Sequence, residues 1–146
     1  MQITQHTDYA LRTLLYAACH NERLVNIAEI AATYQISKSH LMKVVPVLVK
    51  GGFIDSVRGH RGGLRLAKPP EAIIIGRVVR QTEKFTLLEC FAKNNQCHIV
   101  SACRLTNVFD GAQQAFLQYL DGFTLADMLS DKLSNYLSET MLTLSP

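Results

Sequence analysis

Hydrophobic residues recur at helical spacing along most of this chain. Ala10, Leu11, Leu14, Leu15 and Ala18 fall three and four apart, which predicts an amphipathic first helix. It is expected to start near Thr7 with Asp8 in its first turn, where a carboxylate suits the positive helix end. Cys19 continues that segment and reads as a small buried hydrophobe. Asn26, followed three residues later by Glu29, is a capping-box pattern. Ile27, Ile30, Ala31 and Tyr34 supply the apolar stripe of the short second helix that it opens. After a turn at Gln35-Ile36, Ser37 caps a third helix built on Leu41, Val44, Val45 and Leu48. Gly51-Gly52 ends that helix. Pro46 inside it removes one ladder bond, so a bend or a loosened turn is expected there.

Strand-like runs follow at 53–57 and 64–67, separated by the glycine-rich, basic stretch Arg58-Gly59-His60-Arg61-Gly62-Gly63. Two helices joined by a tight turn, then strand, turn and strand, describe a winged helix-turn-helix. Pro69-Pro70 closes the wing and 75–82 reads as a short helix. Periodicity fails from Phe85 to Ala102. Beyond it, Leu105, Val108, Phe109, Ala112, Phe116 and Tyr119 trace one face of a long helix, the natural element for dimerisation. Gly122 ends it, Thr124 caps a last short helix over 125–133, and the tail from Asn135 carries few signals. The expected fold is mainly α with a small β wing. Its parts are a DNA-binding domain at 1–82, a cysteine-rich loop at 83–104, the dimerisation and terminal helices at 105–134, and a tail at 135–146.

Charge sharpens the picture. The net charge of +3 is unevenly spread, because residues 1–83 hold 11 Lys and Arg against 6 acids, and the remainder holds 4 against 6. Within 38–68 there are seven bases and one acid, Asp55. A one-signed segment is a candidate footprint for a polyanion. Ser37, Lys38, Ser39, His40 and Lys43 on the third helix are expected to enter a DNA major groove, with Arg58, His60 and Arg61 of the wing on the phosphate backbone. A hydrophobic content of 48% excludes a disordered chain. No apolar run is long enough to span a membrane, and the N-terminus lacks the pattern of a secretory signal, so a cytoplasmic protein is expected.

Cys90, Cys97 and Cys103 cluster in the irregular stretch with gaps of six and five residues. Zinc sites usually draw cysteines as close CxxC pairs, whereas wider gaps suit an iron–sulfur cluster whose irons lie apart. Three thiolates leave one coordination position for a weaker ligand, which makes such a cluster open to attack and hence able to sense. Zinc on the three cysteines plus His98, and sensing by the thiols alone, remain alternatives. Cys97-His98 as a nucleophile and base is disfavoured, since neighbours in an irregular loop rarely orient that way and no carboxylate is apparent to fix the imidazole, so no enzyme is expected.

Specific motifs run through the chain: Met1-Gln2-Ile3-Thr4, Thr7-Asp8-Tyr9-Ala10-Leu11-Arg12, Val57-Arg58-Gly59-x-x-Gly62-Gly63-x-Arg65-Leu66, Cys97-His98-Ile99, Ala102-Cys103-Arg104-Leu105 and Thr124-Leu125-Ala126-Asp127. On these, over roughly residues 1–133, it resembles the nitric-oxide-sensitive members of the Rrf-type family of winged-helix iron–sulfur regulators. The resemblance implies a homodimer with a 4Fe–4S or 2Fe–2S cluster on Cys90, Cys97 and Cys103 beside the long helix. It implies Asp8 of the other subunit as fourth ligand, where the residues alone give only a helix-end charge. Arg12 joins the DNA-contacting set. Other members use a histidine three residues past the last cysteine, and here that position is Thr106, which argues against their type of site. The implied function is repression of nitric-oxide stress genes from an inverted-repeat operator, released when nitric oxide attacks the cluster.

Overall fold

The computed structural model describes residues 2–144, with side chains as far as 139. The last two residues of the expected tail lie outside the described residues. Its helices are α1 (Gln5–Cys19), α2 (Ile27–Tyr34), α3 (Lys38–Lys50), α4 (Ile75–Thr82), α5 (Leu105–Asp121) and α6 (Asp131–Leu144). Between α3 and α4 lies a hairpin of β1 (Ile54–Val57) and β2 (Gly63–Leu66), paired antiparallel from Ile54↔Leu66 to Val57↔Gly63. A bridge between Val25 and Leu64 ties the hairpin to the chain just before α2. Among the described residues no helix is long and apolar enough to cross a membrane.

The core forms around α1, which packs on α3, α4, β2 and α6. Ala10, Leu14 and Tyr16 are fully buried, and Leu41, Val44, Leu48, Val78 and Leu137 meet them from the surrounding elements. Helix α1 begins earlier than the expected start near Thr7, because Thr4 is its cap and accepts from the Thr7 N–H. Asn26 and Glu29 form the reciprocal capping box expected for α2. Helix α3 is continuous through Pro46, which lies exposed; the buried residues before and after it, Val44, Val45 and Leu48, pin both halves to the core.

The C-terminal part departs further from expectation. Thr124 and Asp127 cap each other, but they close only a 3-10 turn, Ala126–Met128. Leu129 is extended, and Ser130 then accepts from the Leu133 N–H to start α6, which runs through most of the expected tail. Fully buried Leu137 holds α6 against α1 and α2.

One carboxylate joins the two ends of the DNA-binding part. Oε2 of Glu83, the residue after α4, accepts from the Thr4 N–H at 3.0 Å, the Thr4 hydroxyl at 3.0 Å and the Thr7 hydroxyl at 2.7 Å. Burial disfavours its charge, but the donors of Thr7 and Thr4 outweigh burial and hold the carboxyl below its ordinary range. Hydrogen bonds to a charged group contribute about 1.5–3 kcal/mol net, and less where water competes. Burying a single leucine-sized side chain contributes about as much, ~1.5–3 kcal/mol. Since α1 buries seven residues, its core contacts decide whether it folds, and Glu83 decides only where its first turn sits.

With the folded-state pKa lowered, the stability from ionised Glu83 is present above its ordinary value of 4.5 and lost as pH falls below it. Between about pH 5 and about pH 3 the wild type should therefore lose more unfolding free energy than Glu83→Gln. Urea melts at the two pH values measure this, and equal losses would mean that the carboxylate is not held charged.

Candidate nucleic-acid interface and cysteine segment

Helices α2 and α3 are joined by one left-handed residue, Gln35, at φ 52°. Its N–H and that of Ile36 return to the carbonyls of Ala32 and Ala31 at 3.2 and 3.0 Å, closing the tight turn of a helix-turn-helix. Burial of Leu41, Val44, Val45 and Leu48 leaves Lys38, Ser39 and Lys43 on the exposed side of α3. Ser37 is spent on structure: its hydroxyl caps α3 by accepting from the His40 N–H at 3.3 Å and shares a 2.8 Å hydrogen bond with Ser39. His40 is half-buried, its ring 4.7 Å from Tyr9 and 6.0 Å from His6. Burial lowers the basicity of His6, and the neighbouring His40 adds to this against the opposing charge of Glu83.

The wing presents Arg58, His60 and Arg61 together at an exposed tip. Gly59 sits at φ +112°, a conformation that side chains disfavour, and a Cβ on Gly62 would collide with the Val57 carbonyl. The turn therefore needs glycine at both positions to keep the basic tip narrow. An Asp55–Arg65 pair at 3.5 Å crosses the exposed face of the hairpin.

Asp8 and Arg12, one turn apart on α1, form a two-pronged ion pair at 2.9 and 3.0 Å. The Arg12 guanidinium also lies 5.7 Å from the centre of the Tyr34 ring. Thus Arg12 is engaged within its own chain, whereas Lys38, Lys43 and the wing residues are exposed.

All four cysteines are free and half-buried. Cys19 packs at the edge of the core, with the Ser134 hydroxyl 3.6 Å from its sulfur. The others lie on or beside the irregular segment 83–104, whose regular structure is one 3-10 turn, Glu89–Phe91. Contact of Phe85 with Phe116, 6.3 Å between ring centres, fixes the start of that segment on α5. Thr106 donates its hydroxyl to the Cys90 sulfur at 3.3 Å. Among the described residues no three His, Cys, Asp or Glu stand close enough to hold a metal ion, so Cys90, Cys97, Cys103 and Asp8 are not brought together within one chain. The donors themselves fit an iron–sulfur cluster: three thiols unspent in disulfides, one of them already accepting a hydrogen bond, on a segment with little regular structure to break. Gathering such ligands is work that metal binding commonly does.

Helix α5 carries two apolar stripes rather than the single expected face. Leu117 is buried, and Phe116 and Leu120 are half-buried against the rest of the chain. Leu105, Val108 and Tyr119 are 56%, 64% and 70% exposed, with Phe109 and Ala112 beside them. Sequence reasoning misses Glu83 altogether: a polar residue after a helix has no local signal that its partners lie 76 and 79 positions away.

A family model, Rrf2, described as an iron-dependent transcriptional regulator, matches residues 3–131. The chain is 49% identical over 137 residues to the HTH-type transcriptional regulator NsrR of Geobacillus kaustophilus, covering 92% of this chain and 93% of that one. It is 46% identical over 135 residues to the protein of the same name from Bacillus licheniformis, covering 90% and 94%. Its structure is similar to that of T. potens IscR, with a TM-score of 0.71 and 28% identity over 90% of this chain and 88% of the other. With a helix-turn-helix, a basic wing and this match along nearly its whole length, the chain belongs to the Rrf2 family of DNA-binding transcriptional regulators and is not an enzyme.

Proposed function

We propose that this regulator is a cytoplasmic homodimeric repressor that senses nitric oxide through an iron–sulfur cluster held by Cys90, Cys97 and Cys103, with Asp8 of the second subunit as fourth ligand. The observation that carries the reading is the set of three free thiols on one irregular segment next to a winged helix-turn-helix. The names of the two bacterial relatives support it, as does the family resemblance of the motifs around Asp8 and Cys103. A bound cluster would supply iron that reacts with nitric oxide.

The chain's own residues would do the rest. Cys90 is steadied by the Thr106 hydroxyl, which donates to its sulfur. The exposed stripe of Leu105, Val108, Phe109 and Ala112 is the natural dimer face, because burying it leaves the two wings free. The Arg12 pair engages both oxygens of Asp8, so recruiting one of them to iron would take at least one prong from the guanidinium. Such a dimer should prefer an inverted repeat with half-sites about 10–10.5 bp apart or a multiple of that. One observation favours the alternative of sensing by the thiols alone: among the described residues no three His, Cys, Asp or Glu stand close enough to hold a metal ion.

Iron and acid-labile sulfide in anaerobically prepared protein separate these readings. Wild type and Cys19→Ser should contain both, and Ser at position 90, 97 or 103 should remove both. Zinc, or no metal, in the wild type would leave the thiol reading standing. Asp8→Ala should keep the fold but change the rate at which the visible absorbance decays with nitric oxide. An unchanged rate would return Asp8 to its pairing with Arg12. On DNA, Arg61→Ala should weaken operator and scrambled duplexes alike and lower the salt slope by about 1 for each phosphate that the side chain neutralises. Ser39→Ala or His40→Ala should instead change which bases are preferred. A base-specific effect from Arg61→Ala would mean that the wing reads sequence.

A further inference from the structure

The first two turns of α1 have three working faces. Thr4 and Thr7 meet Glu83, His6 and Tyr9 meet His40 on α3, and Asp8 meets Arg12. Glu83 is also the residue at which the segment carrying the clustered cysteines begins. The stretch ahead of α1 is loosely packed. A cavity of about 230 Å³ lies beside Gln2, Ile3 and Glu83, and another of about 430 Å³ lies between Thr4, His6, Val47 and Glu83. Thr7 itself is buried, while Gln2, Ile3 and Thr4 ahead of it border this open space. Three hydrogen bonds, all accepted by one carboxylate oxygen, tie Thr4 and Thr7 to Glu83. Bonds that share one atom break together when that atom moves.

We propose that Glu83 is a positioning residue for DNA recognition, a latch through which the placement of the cysteine segment sets the first turn of α1 and, through His6 and Tyr9, the start of α3 at His40. The proposal deepens the functional reading above, since it supplies the route from the ligand-bearing segment to the DNA-reading helix. Movement of residue 83 with the segment would release Thr4 and Thr7 at once. His6 and Tyr9 sit on that same turn, so the support of the His40 ring would go with them. Apart from Thr7, the buried positions of α1 begin at Ala10 and lie beyond the released part, so the domain would remain folded.

The test compares wild type, Glu83→Ala, Glu83→Gln and Thr7→Val, each prepared anaerobically and also free of iron. Three quantities are read: amide hydrogen exchange over residues 5–9, affinity for operator and scrambled duplexes, and iron content. In both preparations Glu83→Ala should speed exchange at the start of α1 and lower the ratio of operator to scrambled affinity about tenfold, a typical coupling between sites. Glu83→Gln, which keeps an acceptor oxygen without the charge, should fall between wild type and Glu83→Ala. If Glu83→Ala folds poorly, Thr7→Val, which removes one donor at constant size, should still shift exchange and the affinity ratio in the same direction. Unchanged exchange, or an unchanged affinity ratio, in well-folded variants overturns the latch. Iron content judges the cluster reading separately. A wild type without iron sinks that reading, while the iron-free measurements still decide the role of Glu83.

Discussion

Burial of α1 is the constraint on which the rest of the molecule depends. Ala10, Leu14 and Tyr16 are removed from water by α3, α4 and β2, and α6 closes over the far end. Because α1 supplies the floor of the DNA-binding part, α3 can spend its own apolar face on it and turn Lys38, Ser39 and Lys43 outward. The N-terminal turns of α1 lie at the edge of this core, with Thr7 buried and Tyr9 packed against it. There the contacts are polar or aromatic, individually weak, and shared between the recognition helix and the start of the cysteine segment. A rigid body with a weakly held end suits a regulator, since a small free-energy change can move that end without unfolding the rest.

Much of this is legible in the chain, for identifiable reasons. The Asn26–Glu29 capping box and the Ser37 cap are local, so the two helices they open form as read. The wing is legible because Gly59 and Gly62 answer a steric demand within the same turn. Elements set by distant partners are not. Thr4 begins α1 earlier than the apolar periodicity indicates. Thr124 has the pattern of a cap for a full helix, yet its bonds with Asp127 close one turn, and the docking of Leu137 builds α6 where the sequence carries few signals. Phe116 belongs by spacing to the exposed stripe of α5, but contact with Phe85 turns it inward.

The candidate site divides along the same line. The basic residues of α3 and the wing are found where the helix-turn-helix pattern puts them, since one local motif determines them all. Cys90, Cys97 and Cys103 are near in sequence without being gathered in space, because little regular structure lies between them to impose a geometry. Asp8 pairs with Arg12, one turn along the same helix, and nothing local to it signals the ligand role proposed for it. Under the proposed function, a ligand set completed across two subunits would need the dimer to form first, which would order assembly before sensing.

The central claim is that the state of the cysteine segment controls DNA affinity. It is tested most directly by titrating one anaerobic, iron-containing preparation against an operator duplex before and after stoichiometric nitric oxide. The account predicts that operator affinity falls by about 100-fold while the protein stays folded and dimeric, equivalent to about 2.7 kcal/mol of coupling. If the visible absorbance is bleached and operator affinity does not change, the segment is not coupled to the DNA-binding helices, and the claim is wrong.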